Sequence, residues 1–332
     1  MSIMLSALSL RLALPNPKIV KSLSKEQQTV RKQILNKIKH GEYILEDTTC
    51  FCGFSDSHML SPRDKHQLPF PLVICIKCGT VRLGKRLDAS SLAAFYDEEY
   101  RPLYNPGFRD NHDKYHASIQ NAPSSLAPLL DVIPPTVKKT LDVGCHFGGL
   151  VYHLKKAGYE ASGIDFDSKS TRFAREKMDL DCRTGGIDIF TETNEQFDLV
   201  SYMHVFEHVN DLDTELQKVR KIIRSGGYLY LDVPGLINWI EKKQNNILNT
   251  IQSAHSWYFT LNALAYVVER NGFELITGNE AVQGLFRKLP NSSTPKVTPD
   301  DCNKTLQKLK KLEQKLLLKK LSRFLPASLI KE

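Results

Sequence analysis

Several features are absent from this 332-residue sequence, and each absence excludes a class of protein. No apolar run approaches the roughly eighteen residues that a membrane-spanning helix needs. The apolar opening MSIMLSALSLRLAL contains Arg11 and lacks a basic start and a small-residue cleavage site, so we expect an amphipathic arm, not a signal peptide. The cysteines number seven, and an odd number without a secretory signal argues against a disulfide framework. We therefore expect a reducing, cytoplasmic location.

A basic body is also missing, although the net charge is +8. Residues 303–332 carry nine Lys and Arg against two Glu, and residues 1–49 carry eight against four acidic residues. Without these two segments, a charge of about −3 remains for the middle of the chain. Because the body lacks the positive footprint of a nucleic-acid-binding protein, we expect no nucleic-acid partner.

From Lys138 onward, apolar segments with the pattern of strands alternate with segments of helical pattern. The strand segments include TLDVGC, YEASGIDF, FDLVSYMHV and GYLYLDVP. A helix with Thr260 as its N-cap follows, and FELITG with VQGLFRKL predicts a closing antiparallel pair. This alternation is typical of an α/β fold with a mostly parallel sheet and helices on both faces.

The turn after the first of these strands, LDVGCHFGG, has features of a nucleoside site. Gly144 allows a tight turn and a close backbone approach to a ligand, and Gly148 permits close packing at the helix start. About twenty residues later, Asp165 ends the second strand, where a carboxylate can accept hydrogen bonds from ribose hydroxyls. An NAD site would need G-x-G-x-x-G, whereas this turn has G-x-x-x-G-G. On spacing alone, a purely structural glycine turn also stays open.

Taken together, LDVGCHFGG, GIDFD, FDLVSYMHVFEHVND and the later HSWYFT and ERNGF resemble a class I S-adenosylmethionine-dependent methyltransferase over roughly residues 138–290. The resemblance implies a Rossmann-like, seven-stranded, mostly parallel sheet and S-adenosylmethionine as cofactor. It places Asp142 and Gly144 beside the methionine part, Asp165 on the ribose and Phe166 near the adenine, with Tyr202 to His204 lining the cofactor. The implied cofactor-binding residues are Asp142, Gly144, Cys145, Gly148, Asp165, Phe166 and His204.

Two positions depart from the pattern of that family. His146 stands where a Gly is usual, which makes the turn bulkier. Gly186 stands where an Asp often follows the third strand, and Asp188 is the candidate to replace it.

Two short cysteine motifs, Cys50-x-Cys52-Gly and Cys75-x-x-Cys78-Gly, lie ahead of the sheet segments. Four thiolates at this spacing suit a tetrahedral zinc ion. Because four thiolates leave no open coordination position, the zinc would be structural. Unrelated thiols or a redox pair are the alternatives.

The cysteine segment and the following AFYDEEYRPLY resemble the zinc-binding front module of deoxysugar C-methyltransferases and related surface-polysaccharide enzymes. This resemblance implies that Tyr96, Tyr100 and Tyr104 approach the substrate, although packing of the module would explain them equally well. It also implies a small-molecule acceptor, namely a sugar or a nucleotide- or lipid-linked glycan precursor. The rival hypotheses are a non-catalytic binding or scaffold protein, and a methyltransferase that acts on protein or nucleic acid.

Three histidines, His204, His208 and His255, are candidate bases, because methyl transfer requires a positioned acceptor and, where the acceptor is protonated, removal of its proton. We predict a catalytic role for His208 and His255. His208 follows the strand FDLVSYMHV, and His255 lies in AHSWYF. In the similar sugar C-methyltransferases a Glu-His pair removes a proton from carbon, whereas Ala254 precedes His255 here, which leaves O- and N-methylation open. Packing is the alternative role for His208, and substrate hydrogen bonding or solvent exposure is that for His255.

Residues 303–325 predict a basic amphipathic helix in which Leu309, Leu312, Leu316 and Phe324 share a face. Such a helix suits peripheral contact with the inner face of a membrane, a partner helix, or plain solvent. A helix is also predicted over residues 18–40. The predicted domains are an N-terminal helical arm (1–48), a zinc-binding module with an aromatic linker (49–135), the methyltransferase domain (136–292) and the basic helix (293–332). The oligomeric state is not predicted.

Overall fold

The computed structural model describes residues 23–106, 116, 119, 123–290, 294–298 and 300–321. The chain divides into two compact units. Unit 1 consists of Met1–Arg109, Leu236–Tyr258 and Pro299–Glu332, and unit 2 consists of Asp110–Gly235 and Phe259–Thr298.

The described elements comprise helices and strands in both units. The helices are α1 (Lys25–His40), α2 (Ala89–Glu98), α3 (Tyr100–Tyr104), α4 (Pro123–Leu130), α5 (Gly149–Lys156), α6 (Ser168–Met178), α7 (Asp188–Thr193), α8 (Leu212–Ile222), α9 (Leu236–Lys242), α10 (Leu261–Arg270) and α11 (Cys302–Leu321), with 3₁₀ turns at Phe206–His208 and Ile247–Asn249. The strands are β1 (Leu45–Asp47), β2 (Ser57–Ser61), β3 (Leu72–Cys75), β4 (Val81–Leu83), β5 (Lys85–Leu87), β6 (Lys139–Val143), β7 (Glu160–Asp165), β8 (Asp181–Thr184), β9 (Phe197–Met203), β10 (Ile223–Asp232), β11 (Trp257–Tyr258), β12 (Phe273–Gly278) and β13 (Gln283–Lys288).

Unit 2 contains a seven-stranded sheet in the order β12-β13-β10-β9-β6-β7-β8. The pairs from β10 to β8 are parallel, and β13 joins β10 and β12 in antiparallel register. The central strands β6 and β9 are almost wholly buried, as apolar runs covered by helices on both faces should be. The predicted α/β class with a mostly parallel sheet is confirmed.

The boundaries of two predicted helices in unit 2 show which local signals were reliable. The Thr260 side chain accepts a hydrogen bond from the Ala263 N–H at 3.2 Å, so this N-cap is as predicted. The segment DLDTELQKVRKIIRSGG starts on Asp and ends on paired glycines, which predicts a helix up to those glycines. In the structure α8 ends at Ile222 and β10 begins at Ile223. Ile223 pairs with Phe197 of β9, and this sheet contact ends the helix early.

Unit 1 draws on three separate stretches of the chain. It contains a four-stranded sheet in the order β11-β4-β3-β2 and a two-stranded sheet of β1 and β5. One apolar cluster includes Ile34 of α1, Leu72 of β3 and Leu309 of α11. Ile251, which follows the 3₁₀ turn Ile247–Asn249, belongs to the same cluster. Residues from the predicted arm, zinc module, methyltransferase domain and tail therefore share one core, so the structure groups these segments differently from four consecutive domains.

The two terminal helices are amphipathic, and their apolar faces lie in the core of unit 1. Ser24 caps α1, which begins at Lys25, so the helix predicted over residues 18–40 starts later than expected; residues 18–22 lie outside the described residues. Leu309, Leu312 and Leu316 of α11 are buried as a shared face, while Phe324 lies outside the described residues. In the part of the chain that the structure describes, no helix combines the length and apolar character needed to cross a membrane.

Candidate cofactor site and cysteine cluster

The parallel strands of unit 2 end at a common edge of the sheet. Val143 of β6 pairs with Ile164 of β7 and Tyr202 of β9, and Met203 pairs with Asp232 of β10. The loops that follow these strands therefore emerge side by side. In open α/β sheets this carboxyl edge is where ligands bind.

The turn after β6 needs glycine at both predicted positions. Gly144 has φ of +77°, and a Cβ there would lie 2.3 Å from Val205 Cγ2. The backbone N–H groups of Gly144 and Cys145 both donate to the Ile164 carbonyl, at 2.7 and 3.1 Å. Gly148 also has φ of +77°, and its Cβ would lie 2.7 Å from Leu180 Cδ1. Side chains at either position would force the turn away from the sheet edge.

His146 adopts the left-handed backbone conformation, with φ of +50°. This explains why a glycine is usual there, since a residue with a Cβ pays a steric cost of about 1–2 kcal/mol in this region. The side chain is exposed, and its ring centroid lies 3.9 Å from that of Phe147. Its bulk therefore points outward and leaves the turn itself intact.

Asp165 ends β7 with its carboxylate held by the backbone. The His146 N–H donates to Oδ2 at 2.9 Å, and the Asp167 N–H donates to Oδ1 at 2.8 Å. These two bonds orient the carboxylate, and a carboxylate oxygen can accept more than one hydrogen bond. The arrangement fits the predicted ribose contact.

The Phe166 ring occupies the space that a side chain at position 186 would need. The Phe166 side chain is 82% exposed, and a Cβ at Gly186 would lie 2.9 Å from Phe166 Cζ. An Asp at position 186 would therefore displace the Phe166 ring from its present place. Asp188, the candidate to replace that Asp, forms an ion pair with Lys218 at 2.9 Å.

Asp142 and Cys145 lie on the inner side of the turn. Asp142 is buried and accepts a hydrogen bond from Ser201 Oγ at 3.0 Å; burial raises the pKa of its carboxyl group to about 7. The Cys145 side chain belongs to an apolar cluster with Val151 and Cys182. Only the backbone of Cys145 is therefore available to a ligand at this edge.

At the end of β9, the residues expected to line the cofactor lie in two different places. Tyr202 is fully buried, and its hydroxyl donates to Glu215 Oε1 at 2.5 Å, so its side chain enters the core and not the predicted cofactor site. His204 is exposed, with φ of +56° and its N–H bonded to the Asp232 carbonyl at 2.8 Å. His204 therefore stays at the sheet edge.

Glu207 and His208 occupy the 3₁₀ turn after β9. Glu207 is 2% exposed, and burial, reinforced by the charge of Asp232, raises the pKa of its carboxyl group to about 8. His208 Nε2 lies 3.8 Å from Glu207 Oε1. No role for Glu207 is predicted from the sequence, although the Glu-His dipeptide after a buried strand is a visible signal. The other candidate base, His255, is a buried residue of unit 1, with its ring 6.0 Å from that of Tyr258.

The four cysteines of the two motifs form a compact group, which we call the cysteine cluster (Cys50, Cys52, Cys75 and Cys78). Their sulfur atoms all lie within 4.8 Å of one another. Cys50 Sγ is 3.4 Å from Cys78 Sγ, and Cys52 Sγ is 3.6 Å from Cys75 Sγ. Four sulfurs around a zinc ion at its usual bond length would be about 3.8 Å apart.

Backbone amides point at the sulfur atoms of the cysteine cluster. The N–H groups of Cys52, Phe54 and Thr80 donate to the sulfurs of Cys50, Cys52 and Cys78, respectively. Gly53 and Gly79 follow the motifs with φ of +78° and +68°, so each chain bends sharply behind its sulfurs. Donors aimed at sulfur stabilise thiolates, which are the form that binds metal.

Comparison with known proteins adds to this geometry. Residues 115–277 match a family model described as a methyltransferase domain. This part of the chain is therefore similar to a methyltransferase domain. It contains most of the sheet described above, from β6 to β12.

Curated relatives align with part of this chain. They include ubiquinone biosynthesis O-methyltransferases of Chromobacterium violaceum, 30% identical over 142 residues, and of Sinorhizobium fredii, 28% identical over 141 residues. Both alignments cover 40% of this chain and 54% of the relative, so the chain spans about half the length of the curated relatives it matches.

Solved structures also resemble the methyltransferase domain. One is an S-adenosylmethionine-dependent methyltransferase from Thermotoga maritima, described as a possible histamine N-methyltransferase, with 16% identity, a TM-score of 0.41, and coverage of 54% of this chain and 94% of that one. Another is the magnesium protoporphyrin IX methyltransferase of Synechocystis with bound S-adenosylhomocysteine, with 16% identity, a TM-score of 0.43, and coverage of 61% and 100%.

Proposed function

We propose that this protein transfers a methyl group from S-adenosylmethionine to a hydroxyl group of a small molecule, namely a sugar or a nucleotide- or lipid-linked glycan precursor. The observation that carries the proposal is the glycine turn after β6 facing the oriented carboxylate of Asp165. The matched family of residues 115–277 supports the same conclusion.

The bound cofactor would supply an electrophilic methyl group on a sulfonium. Asp165 would hold the ribose hydroxyls, and Phe166 offers an exposed aromatic face for the adenine. Asp142 lies beneath the turn, near the expected place of the methionine part, and its raised pKa allows it to act as a donor or as an acceptor near neutral pH. His204 and the backbone of Cys145 would complete the contact.

An acceptor hydroxyl must lose its proton during transfer, and His208 is the proposed base in unit 2. The neighbouring Glu207 carboxyl group is protonated at neutral pH, because burial raises its pKa to about 8. It therefore does not compete with His208 for the acceptor proton. His255 is proposed as a substrate-binding residue or second base from unit 1.

We further propose that the cysteine cluster binds one structural zinc ion. The sulfur separations of 3.4 and 3.6 Å and the amide donors support it. Four thiolates saturate a tetrahedral ion, so the zinc would stabilise unit 1 and take no part in methyl transfer.

The acceptor class is supported by the partly exposed Tyr96, Tyr100 and Tyr104, which offer aromatic faces in unit 1. The curated relatives are O-methyltransferases, and Ala254 interrupts the Glu-His pair of the similar C-methyltransferases. Both observations favour oxygen over carbon as the methylated atom.

Isothermal titration with S-adenosylhomocysteine tests the cofactor site. We expect micromolar binding by the full chain and at least a tenfold loss in Asp165→Ala, because the ribose contacts vanish. Asp179→Asn, a change at an exposed carboxylate that follows the next helix, should bind like the wild type. Folded wild-type protein that fails to bind would refute the proposed function.

Transfer of a radiolabelled methyl group from S-adenosylmethionine tests the acceptor. We expect labelling of a sugar nucleotide in a panel that also contains phenols, a peptide library and RNA. Cofactor binding without transfer to any acceptor would favour a non-catalytic binding protein, and labelling of peptide or RNA alone would favour the macromolecular alternative.

A further inference from the structure

Helix α11 presents a basic surface that neither the cofactor contacts nor the proposed zinc site uses. Its buried face consists of leucines that belong to the core of unit 1. The helix also carries exposed lysines spaced by three or four residues, which therefore lie on one side of it. We call this set the lysine row: Lys304, Lys308, Lys311, Lys315 and Lys319. At the rise of an α-helix, the row is about 22 Å long.

The lysine row is not balanced by acidic side chains of the same helix. Glu313 is the single Asp or Glu of α11, and it is 3% exposed. Among the described residues, Lys308, Lys311 and Lys315 have no ion-pair partner. Like charges four residues apart repel each other, so a row of lysines alone lowers the stability of a helix. A helix face that meets only solvent typically alternates the two signs, so the row favours an anionic partner.

The positive charge of the protein is concentrated in unit 1. The three stretches of this unit contain 27 Lys and Arg against 15 Asp and Glu, a net charge of +12. Unit 2 contains 18 against 22, a net charge of −4. Helix α9, which packs against α11, adds exposed Lys242 and Lys243. Such an excess attracts anionic partners to unit 1 over a distance of about one Debye length, ~8 Å at physiological salt.

One exposed apolar side chain lies beside the lysine row. Leu318 is 65% exposed, and it follows Lys315 by three residues and Lys311 by seven, so it lies on the same side of the helix. Lysines next to an exposed leucine are typical of helices that lie on anionic membranes, where the leucine enters the boundary between headgroups and acyl chains.

The composition of α11 favours a membrane over a nucleic acid as this anionic partner. Surfaces that bind single-stranded nucleic acid combine positive charge with aromatic side chains, on which the bases stack. The described helix, Cys302–Leu321, contains no Phe, Tyr or Trp. Its exposed side therefore offers charge and one aliphatic side chain, which is the combination that a lipid surface can use.

We propose that the lysine row is a docking surface for an anionic lipid bilayer, with Leu318 entering the headgroup region. The leucine face of α11 stays in the core of unit 1, so the helix contacts the bilayer with its basic side and does not insert its apolar face. Binding is therefore mainly electrostatic, and it weakens as salt screens the lysines. The contact is reversible and selects membranes rich in anionic lipid.

Co-sedimentation of the full chain with lipid vesicles tests this surface. We expect vesicles of phosphatidylcholine with about one-third phosphatidylglycerol to be bound at least tenfold more tightly than phosphatidylcholine alone, since each lysine near an anionic surface contributes about fivefold in affinity. Binding should fall at least tenfold between about 0.05 and about 0.5 M NaCl. The variant Lys308→Gln/Lys311→Gln/Lys315→Gln should bind the anionic vesicles at least tenfold more weakly than the wild type.

The matched control is Lys156→Gln/Lys177→Gln/Lys221→Gln, which removes the same charge from exposed helix positions of unit 2. It should bind the anionic vesicles like the wild type. Leu318→Ala should bind them at least twofold more weakly, because less apolar surface enters the headgroup region. All three variants should keep the wild-type melting temperature, since every changed side chain is exposed.

Three outcomes would overturn the proposal: equal binding to the two kinds of vesicle, a lysine-row variant that binds like the wild type, or a control variant that loses as much binding. A single-stranded RNA is titrated in parallel. Wild-type protein that binds this RNA through the lysine row and does not bind anionic vesicles would assign the row to nucleic acid. Vesicle binding does not depend on methyl transfer, so S-adenosylhomocysteine binding, titrated on the same proteins, tests the proposed function separately.

Discussion

At the scale of single residues, the backbone strain at His146 can be measured by changing its side chain. His146 has φ of +50°, where a Cβ costs about 1–2 kcal/mol. We expect His146→Gly to be about 1 kcal/mol more stable than His146→Ala, since only Gly relieves the strain. Urea unfolding measures the difference. Both variants should bind S-adenosylhomocysteine like the wild type; a matched loss in the two would place the imidazole in the cofactor site.

Buried Glu207 gives stability a pH dependence that runs opposite to that of most carboxylates. Burial raises the pKa of its carboxyl group from 4.5 to about 8. The folded state therefore holds the proton more tightly than the unfolded chain, and the stability it confers is complete below pH 4.5 and lost as the pH rises through 8. Asp142, whose pKa is raised to about 7, acts in the same direction.

We expect Glu207→Gln to flatten the decline of unfolding free energy between pH 5 and 8, by up to about 1.4 kcal/mol per pH unit. Urea unfolding at a series of pH values, without cofactor, measures this slope. The exposed Glu192→Gln serves as control and should keep the wild-type slope. An unchanged slope in Glu207→Gln would show that the pKa of the wild-type Glu207 carboxyl group is not raised.

At the scale of elements, α11 illustrates what its sequence could and could not reveal. Its helical spacing and lysine-rich face predicted an amphipathic helix, but not the partner of its leucine face. That partner is the core of unit 1, where Leu312 is 4% exposed, whereas Leu318 is 65% exposed. The described leucines expected to form a membrane-facing surface are thus already packed, although the exposed lysines stay available to anionic surfaces.

We expect Leu312→Ala to lower the unfolding free energy by about 2–4 kcal/mol, because it leaves a cavity in the core of unit 1. Leu318→Ala, the same change at an exposed position of the same helix, should cost less than about 0.5 kcal/mol. Chemical unfolding of the two variants provides the comparison. Equal effects would mean that the leucine face is not packed.

Most elements of unit 2 were predictable because their signals are local. Apolar runs marked the strands, and Thr260 marked the start of a helix. The short strand β8, with the sequence DCRT, has no apolar run, and its pairing with β7 alone defines it. Likewise Asp165 was predictable from its distance to the glycine turn, whereas the burial of Glu207 depends on tertiary packing that no motif marks.

At the scale of the whole molecule, the stability of unit 1 should depend on metal. We expect about one zinc ion per chain by elemental analysis, and a lower melting temperature after treatment with a strong chelator. Cys75→Ser should lose the zinc. Cys302→Ser, a buried thiol of the same unit outside the cysteine cluster, should retain it. Zinc-free wild-type protein with unchanged melting would contradict the zinc proposal.

The core of unit 1 joins the start of the chain to its end, since Val30, Ile34, Leu309 and Leu312 belong to one cluster. On the ribosome, unit 1 cannot close before residue 312 has emerged, whereas the strands from β6 to β10 are complete some eighty residues earlier. The sheet of unit 2 can therefore form first, while the apolar surfaces of unit 1 remain exposed to solvent. Nascent chains should need chaperone protection during that interval.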